Sequence, residues 1–119
     1  MVVDQVRPEQ VEPDRVFHAL ADGTRRDIVT RTMQREYSVS ALARLYPMSF
    51  AAVQKHVAVL EGAQLVSKRR QGREQLVTGN VATVRHAARL LDQFETVWRS
   101  RIERFGEILA DDFPEGAPS

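Results

Sequence analysis

Apolar positions along this chain fall into five helical stretches and one short ribbon. Val16, Phe17, Leu20 and Ala21 make one face of a first helix, which Pro13 can start and Asp22-Gly23 ends. Thr24-Arg25-Arg26-Asp27 has the form of a capping box, with Asp27 where Glu is usual. It predicts a second helix that buries Ile28, Val29, Thr32 and Met33. A third begins at Ser38 or Ser40, buries Val39, Leu42, Ala43 and Leu45, and stops at Pro47. Ser49 is a good N-cap for a fourth, in which Val53, Val57 and Leu60 face the core and Met48 and Phe50 seal its beginning. Its opposite face presents Ala51, Ala52, Gln54, Lys55 and Ala58. Small residues with one amide and one cation suit a surface pressed closely into a groove.

Gly62 ends the fourth helix. Leu65-Val66 opens a strand, Leu76-Val77 lies in its return partner, and Gln71-Gly72 marks the turn between them. Asn80 caps a last helix predicted to reach about Ala110. Its apolar positions (Val84, Ala88, Leu91, Trp98, Ile102, Phe105, Leu109) alternate by four and three, broken once at Glu95 with Phe94 beside it. A helix of that length cannot pack wholly on so small a domain, so part of the stripe should meet a second copy. Residues 1–11 read as a flexible arm, 12–110 as one domain and 111–119 as a disordered tail.

The chain has 119 residues, enough for one domain with a small core. The absence of cysteine excludes disulfides and thiolate metal sites. No apolar run is long enough to span a membrane and no secretory signal begins the chain, so the expectation is a cytoplasmic protein without a membrane partner. Net charge is +1, distributed unevenly. Residues 1–23 and 74–119 each carry −3, whereas residues 24–73 carry +7. A basic centre between acidic flanks suits a polyanion on one face.

That basic centre coincides with the helix, tight turn, helix and hairpin of residues 38–78. In such an arrangement one helix enters the DNA major groove and a ribbon lies beside it. The run FHALADGTRRDIVTRT resembles the helix-one to helix-two signature of ArsR-type winged-helix repressors, where Leu-Ala-Asp-Pro-Thr-Arg-Arg is common. The run MSFAAVQKHVAVLEGAQLVSKRRQGRE resembles their recognition helix and wing. Trp98-Arg99, with Arg101 after it, is similar to the last helix of a metal-independent branch. The resemblance covers about residues 14–110. It implies a mainly helical winged helix-turn-helix with five helices and a small hairpin, dimeric through its first and last helices. It implies a repressor on a pseudo-palindromic operator. Three positions depart from the pattern: Gly23 stands where Pro is usual, Gly62-Ala63-Gln64 where Ala-Gly is the commoner order, and Tyr46-Pro47 at a turn usually made by Gly.

Candidates for contact with DNA are Ser49, Ala51, Ala52, Gln54, Lys55 and His56 on the recognition helix. Gln54 can make a bidentate pair with adenine, Lys55 can reach guanine or phosphate, and His56 either donates to a phosphate or packs under the helix. Arg69, Arg70, Gln71 and Arg73 surround the wing turn, with Arg73 the best placed for phosphate or minor groove. Arg25, Arg26 and Arg44 either flank the DNA backbone or pair with Asp22 and Asp27. Val16, Phe17, Leu91, Phe94, Trp98, Ile102 and Phe105 are the dimer candidates. His18, His56 and His86 lie in separate elements with no metal-ligand spacing, and Glu103 and Glu107 are expected to pair with Arg99 and Arg104. No cofactor is expected. No phosphate loop, nucleophile elbow or triad spacing points to an enzyme. An effector of unknown kind, a protein-interaction role and a ligand-sensing role remain open alternatives.

Overall fold

A computed structural model of the chain describes residues 7–112. It divides between Ala87 and Ala88 into two compact units. The first contains α1 (Pro13–Leu20), α2 (Gly23–Gln34), β1 (Tyr37–Ser38), α3 (Val39–Ala43), α4 (Phe50–Gly62), β2 (Val66–Gln71) and β3 (Glu74–Gly79). It also holds the first turns of α5 (Val81–Asp112), whose remainder forms the second unit.

Local chemistry explains where these elements start. Pro13 occupies the first turn of α1, where its missing N–H costs nothing. Asp22, rather than Thr24, caps α2: its carboxylate accepts from the Arg25 backbone N–H at 3.0 Å. That hydrogen bond comes first among the causes that hold the Asp22 carboxyl below its ordinary value. Gly23 thus falls inside α2, and Asp27 is free for another role. Ser38 caps α3 through the Ala41 N–H at 3.0 Å, and Ser49 caps α4 through the Ala52 N–H at 3.1 Å.

Helix α3 ends four residues short of Pro47, and Leu45 beyond it is 44% exposed instead of buried. Arg44 and Leu45 close its end onto the Ser40 and Leu42 carbonyls, so Leu45 turns outward. Ile28, Leu42, Val53, Val57, Leu60 and Leu65 are sealed in one core, where replacing a single Leu with Ala costs about 2–5 kcal/mol.

The sheet has three strands in the order β1-β3-β2, all antiparallel, rather than the two-strand ribbon expected. Tyr37 and Ser38 pair with Val77 and Leu76. Pairing of Gln71 with Glu74 makes Gly72-Arg73 the two-residue loop, one position later than expected. Of the two loop residues, only Gly72 has positive φ (63°), the pattern of a II′ turn.

Asn80 precedes α5 but does not cap it. Its side chain is buried and turned back, accepting from Ser67 Oγ at 3.0 Å and donating to the Gln64 carbonyl at 2.9 Å. Within the expected arm, Pro8–Gln10 forms a 3-10 turn and Val11 enters the core, and residues 1–6 lie outside the described part. Helix α5 extends through Asp112, two residues into the expected tail, and residues 113–119 lie outside the described part.

In the second unit, Leu91, Phe94, Trp98, Ile102, Phe105 and Leu109 are all exposed, as are Val97 and Ile108. Arg99 pairs with Glu95 one turn before it, not with Glu103. No ion pair of Glu103 or Glu107 occurs among the described residues. The Arg101 guanidinium lies 5.7 Å from the Trp98 ring centroid.

Candidate nucleic-acid interface

Helix α4 is anchored by its own apolar stripe. Val53, Val57 and Leu60 are buried, which turns Ala51, Gln54, Lys55 and Ala58 outward, all of them exposed. Among the described residues, Gln54 and Lys55 have no side-chain hydrogen bond or ion pair. Ser49 is exposed but its oxygen is occupied as the cap, and Ala52 is half-buried. Met48 packs against the core, whereas Phe50 does not seal the helix: it is 47% exposed.

His56 is half-buried and held from beneath. Arg25 Nη1 lies 3.2 Å from its Nδ1. A guanidinium can only donate, so Nδ1 is the acceptor and Nε2 is left as the ring's donor. The same guanidinium donates from Nε to the Ala19 carbonyl at 2.7 Å and from Nη2 to the His18 carbonyl at 3.2 Å. Arg26 donates to the Leu20 carbonyl at 2.8 Å. Both arginines therefore cap the C-terminal end of α1, where unpaired carbonyls favour cations, rather than pairing with Asp22 or Asp27.

The turn between α3 and α4 is braced from α2. The Tyr46 hydroxyl donates to Asp27 Oδ2, and Arg31 Nε donates to the same oxygen at 2.7 Å. These two donors, Tyr46 first, hold the Asp27 carboxyl below its ordinary value. Burial, followed by the bond to Asp27, pushes the Tyr46 phenol up to about 12. Nothing in the sequence marks this link, because 19 residues separate Tyr46 from Asp27 and Asp27 stands at a capping-box position.

The wing cations are not equivalent. Arg69 is committed to Glu36, with Nη2 at 2.9 Å and Nε at 3.2 Å, and also donates to the Gln71 side chain at 3.0 Å. Thr78 donates to the same Glu36 carboxylate. Lys68 pairs with Glu61 at 3.4 Å, tying β2 to α4. Arg70 and Arg73 are exposed and without ion pairs among the described residues, and Arg70 reaches only the Gly72 carbonyl at 3.3 Å. The basic region is thus partly spent inside the domain. Arg44, Lys55, Arg70 and Arg73 are exposed and have no ion pair among the described residues.

Of the dimer candidates, Val16 is 1% exposed within its own chain and so has no surface to offer a partner. Its neighbour Phe17 is half-buried and keeps some. No three His, Asp or Glu side chains come together to hold a metal among the described residues, and no described helix is long and apolar enough to cross a membrane.

A short α3, a turn, an outward-facing α4 and a hairpin stacked beside it define a winged helix-turn-helix protein. The chain belongs to the ArsR-like family of winged helix-turn-helix transcriptional regulators. It is 40% identical over 97 residues to the HTH-type transcriptional regulator Rv2034 of Mycobacterium tuberculosis, covering 82% of this chain and 88% of that protein. An ArsR-like transcriptional regulator from Rhodococcus sp. RHA1 superposes with a TM-score of 0.72 at 32% identity, over 81% of this chain and 91% of its own. The ArsR family transcriptional regulator RHA00566 gives a TM-score of 0.71 at 28% identity, over 80% of this chain and 96% of that one. No family model matches the sequence.

Proposed function

We propose that this regulator acts in the cytoplasm as a homodimer that binds a pseudo-palindromic operator and represses transcription by occupying it. The observation that carries the reading is the unspent face of α4, with Gln54 and Lys55 exposed beside the free wing cations Arg70 and Arg73. Gln54 reads a base pair, Lys55 and Arg44 meet base or phosphate, the wing grips the flanking backbone, and His56 offers its Nε2–H to a phosphate. The exposed stripe of α5 supports pairing of two copies, and two recognition helices on one operator would lie about 34 Å apart, one turn of DNA. The similarity of the last helix to the metal-independent branch supports operation without a metal.

Salt dependence of binding to an operator selected from random sequence tests this. If Arg44, Lys55, Arg70 and Arg73 of each protomer meet phosphates, about eight contacts per dimer give a slope of log K against log salt of about −7. Absence of binding at low salt would refute the reading. Promoter transcription that rises when the protein is added would refute repression while leaving DNA binding intact.

A further inference from the structure

One side chain in the first turn of α4 does not suit a merely solvated helix. Phe50 is the first residue of α4 and 47% exposed. The beginning of the helix is closed by Met48, which packs against the core, and capped by Ser49, so closing it does not require the Phe50 ring. Around it the face is small or polar, with Ala51, Gln54 and Ala58 all exposed. A large apolar ring left half in water weakens folding relative to burial and gains its return only against another apolar surface.

Phe50 and Gln54 are four residues apart, so their side chains lie one above the other, about 6 Å apart along the helix axis. That is close to two base steps at about 3.4 Å each. The N-terminal end of a recognition helix is the part that meets base edges, and thymine alone presents a methyl group in the major groove. We infer that Phe50 is a specificity-determining residue whose ring packs on the 5-methyl group of a thymine about two base steps from the pair read by Gln54. This rests on the proposed docking of α4 in the major groove.

The test uses the full-length protein and the operator it selects from random sequence. Each thymine is replaced in turn by uracil, which removes the methyl group and nothing else. At one position in each half-site the replacement should weaken wild-type binding about fourfold, and about sixteenfold when both half-sites are changed. Phe50→Ala should bind both forms of that operator equally, keep its response to uracil elsewhere, and melt as the wild type does. Phe50→Leu, which retains an apolar side chain, should keep part of the discrimination. A wild-type protein indifferent to uracil at every position overturns the inference without reference to any variant. So does a Phe50→Ala protein that discriminates as the wild type does. If selection recovers no DNA, the docking itself is refuted; if it recovers an operator that tolerates uracil throughout, only the role of Phe50 falls.

Discussion

Gln64 adopts a left-handed backbone with φ of 65°, a conformation that costs a residue bearing a Cβ about 1–2 kcal/mol. The Gln64 N–H donates to the Glu61 carbonyl at 3.0 Å and the Leu65 N–H to the Leu60 carbonyl at 2.9 Å, which is the paired closure of a Schellman motif. Glycine is favoured at this position, yet the nearest one, Gly62, stands two residues early as the last residue of α4, with open space where a Cβ would project. The unusual order of Gly62-Ala63-Gln64 was visible in sequence; which residue bears the strain depended on where α4 stops. Gln64→Gly should raise stability by about 0.5–1 kcal/mol, because Asn80 and Thr83 bond the Gln64 carbonyl, which glycine retains. Gly62→Ala should add a similar amount. Urea unfolding of the two single variants and the double measures both, and a Gln64→Gly protein less stable than wild type would show that the glutamine side chain is needed.

Elements meet through a few polar links, and these were the least legible part of the fold. Periodicity revealed α1, α2, α4, α5 and the hairpin, because each has an apolar face to bury. It missed β1, whose two residues are too short for any period, and it placed Asn80 at a helix cap when its side chain instead joins the wing strand to the turn after α4. The Tyr46–Asp27–Arg31 link sets a pH window for the seat of the recognition helix. Asp27 has its carboxyl depressed in the fold, so its contribution is present above the ordinary value of 3.8 and is lost as pH falls through the folded value. Tyr46 is raised, so its contribution is present below 10.0 and is lost as pH rises through about 12. Asp27→Asn should therefore lessen the loss of stability on acidification, leaving the share that belongs to Asp22. Thermal melts across the acid range check this, and an acid limb identical to wild type would remove Asp27 from the account. At the wing, the charge tally grouped Arg69 with Arg70 and Arg73, because pairing with Glu36 across 33 residues leaves no mark in sequence. Arg73→Ala should weaken binding alike on all sequences and reduce the salt slope of a dimer by about two, whereas Arg69→Ala should mainly loosen the wing. Loss confined to one base pair would contradict backbone contact by Arg73.

At the scale of the whole molecule, the stripe on α5 stays exposed among the described residues. Leu91, Phe94, Trp98, Ile102 and Phe105 are each more than half exposed. Leu91→Asp should yield monomers in sedimentation and weaken operator binding while leaving the melting of the first unit close to wild type. Dimers that survive the substitution would place the pairing surface elsewhere. The four-three alternation was readable in sequence, whereas the burial of Val16 was not, since a helix face does not reveal whether its own domain or a second chain covers it. If the stripe pairs two copies as proposed, the regulator is also sensitive to its own abundance. Where copies are scarce enough to separate, only pairs engage both half-sites, and operator occupancy rises with the square of protein concentration. Halving the number of copies would then cut repression about fourfold, so that small changes in synthesis or turnover act as a signal even without an effector.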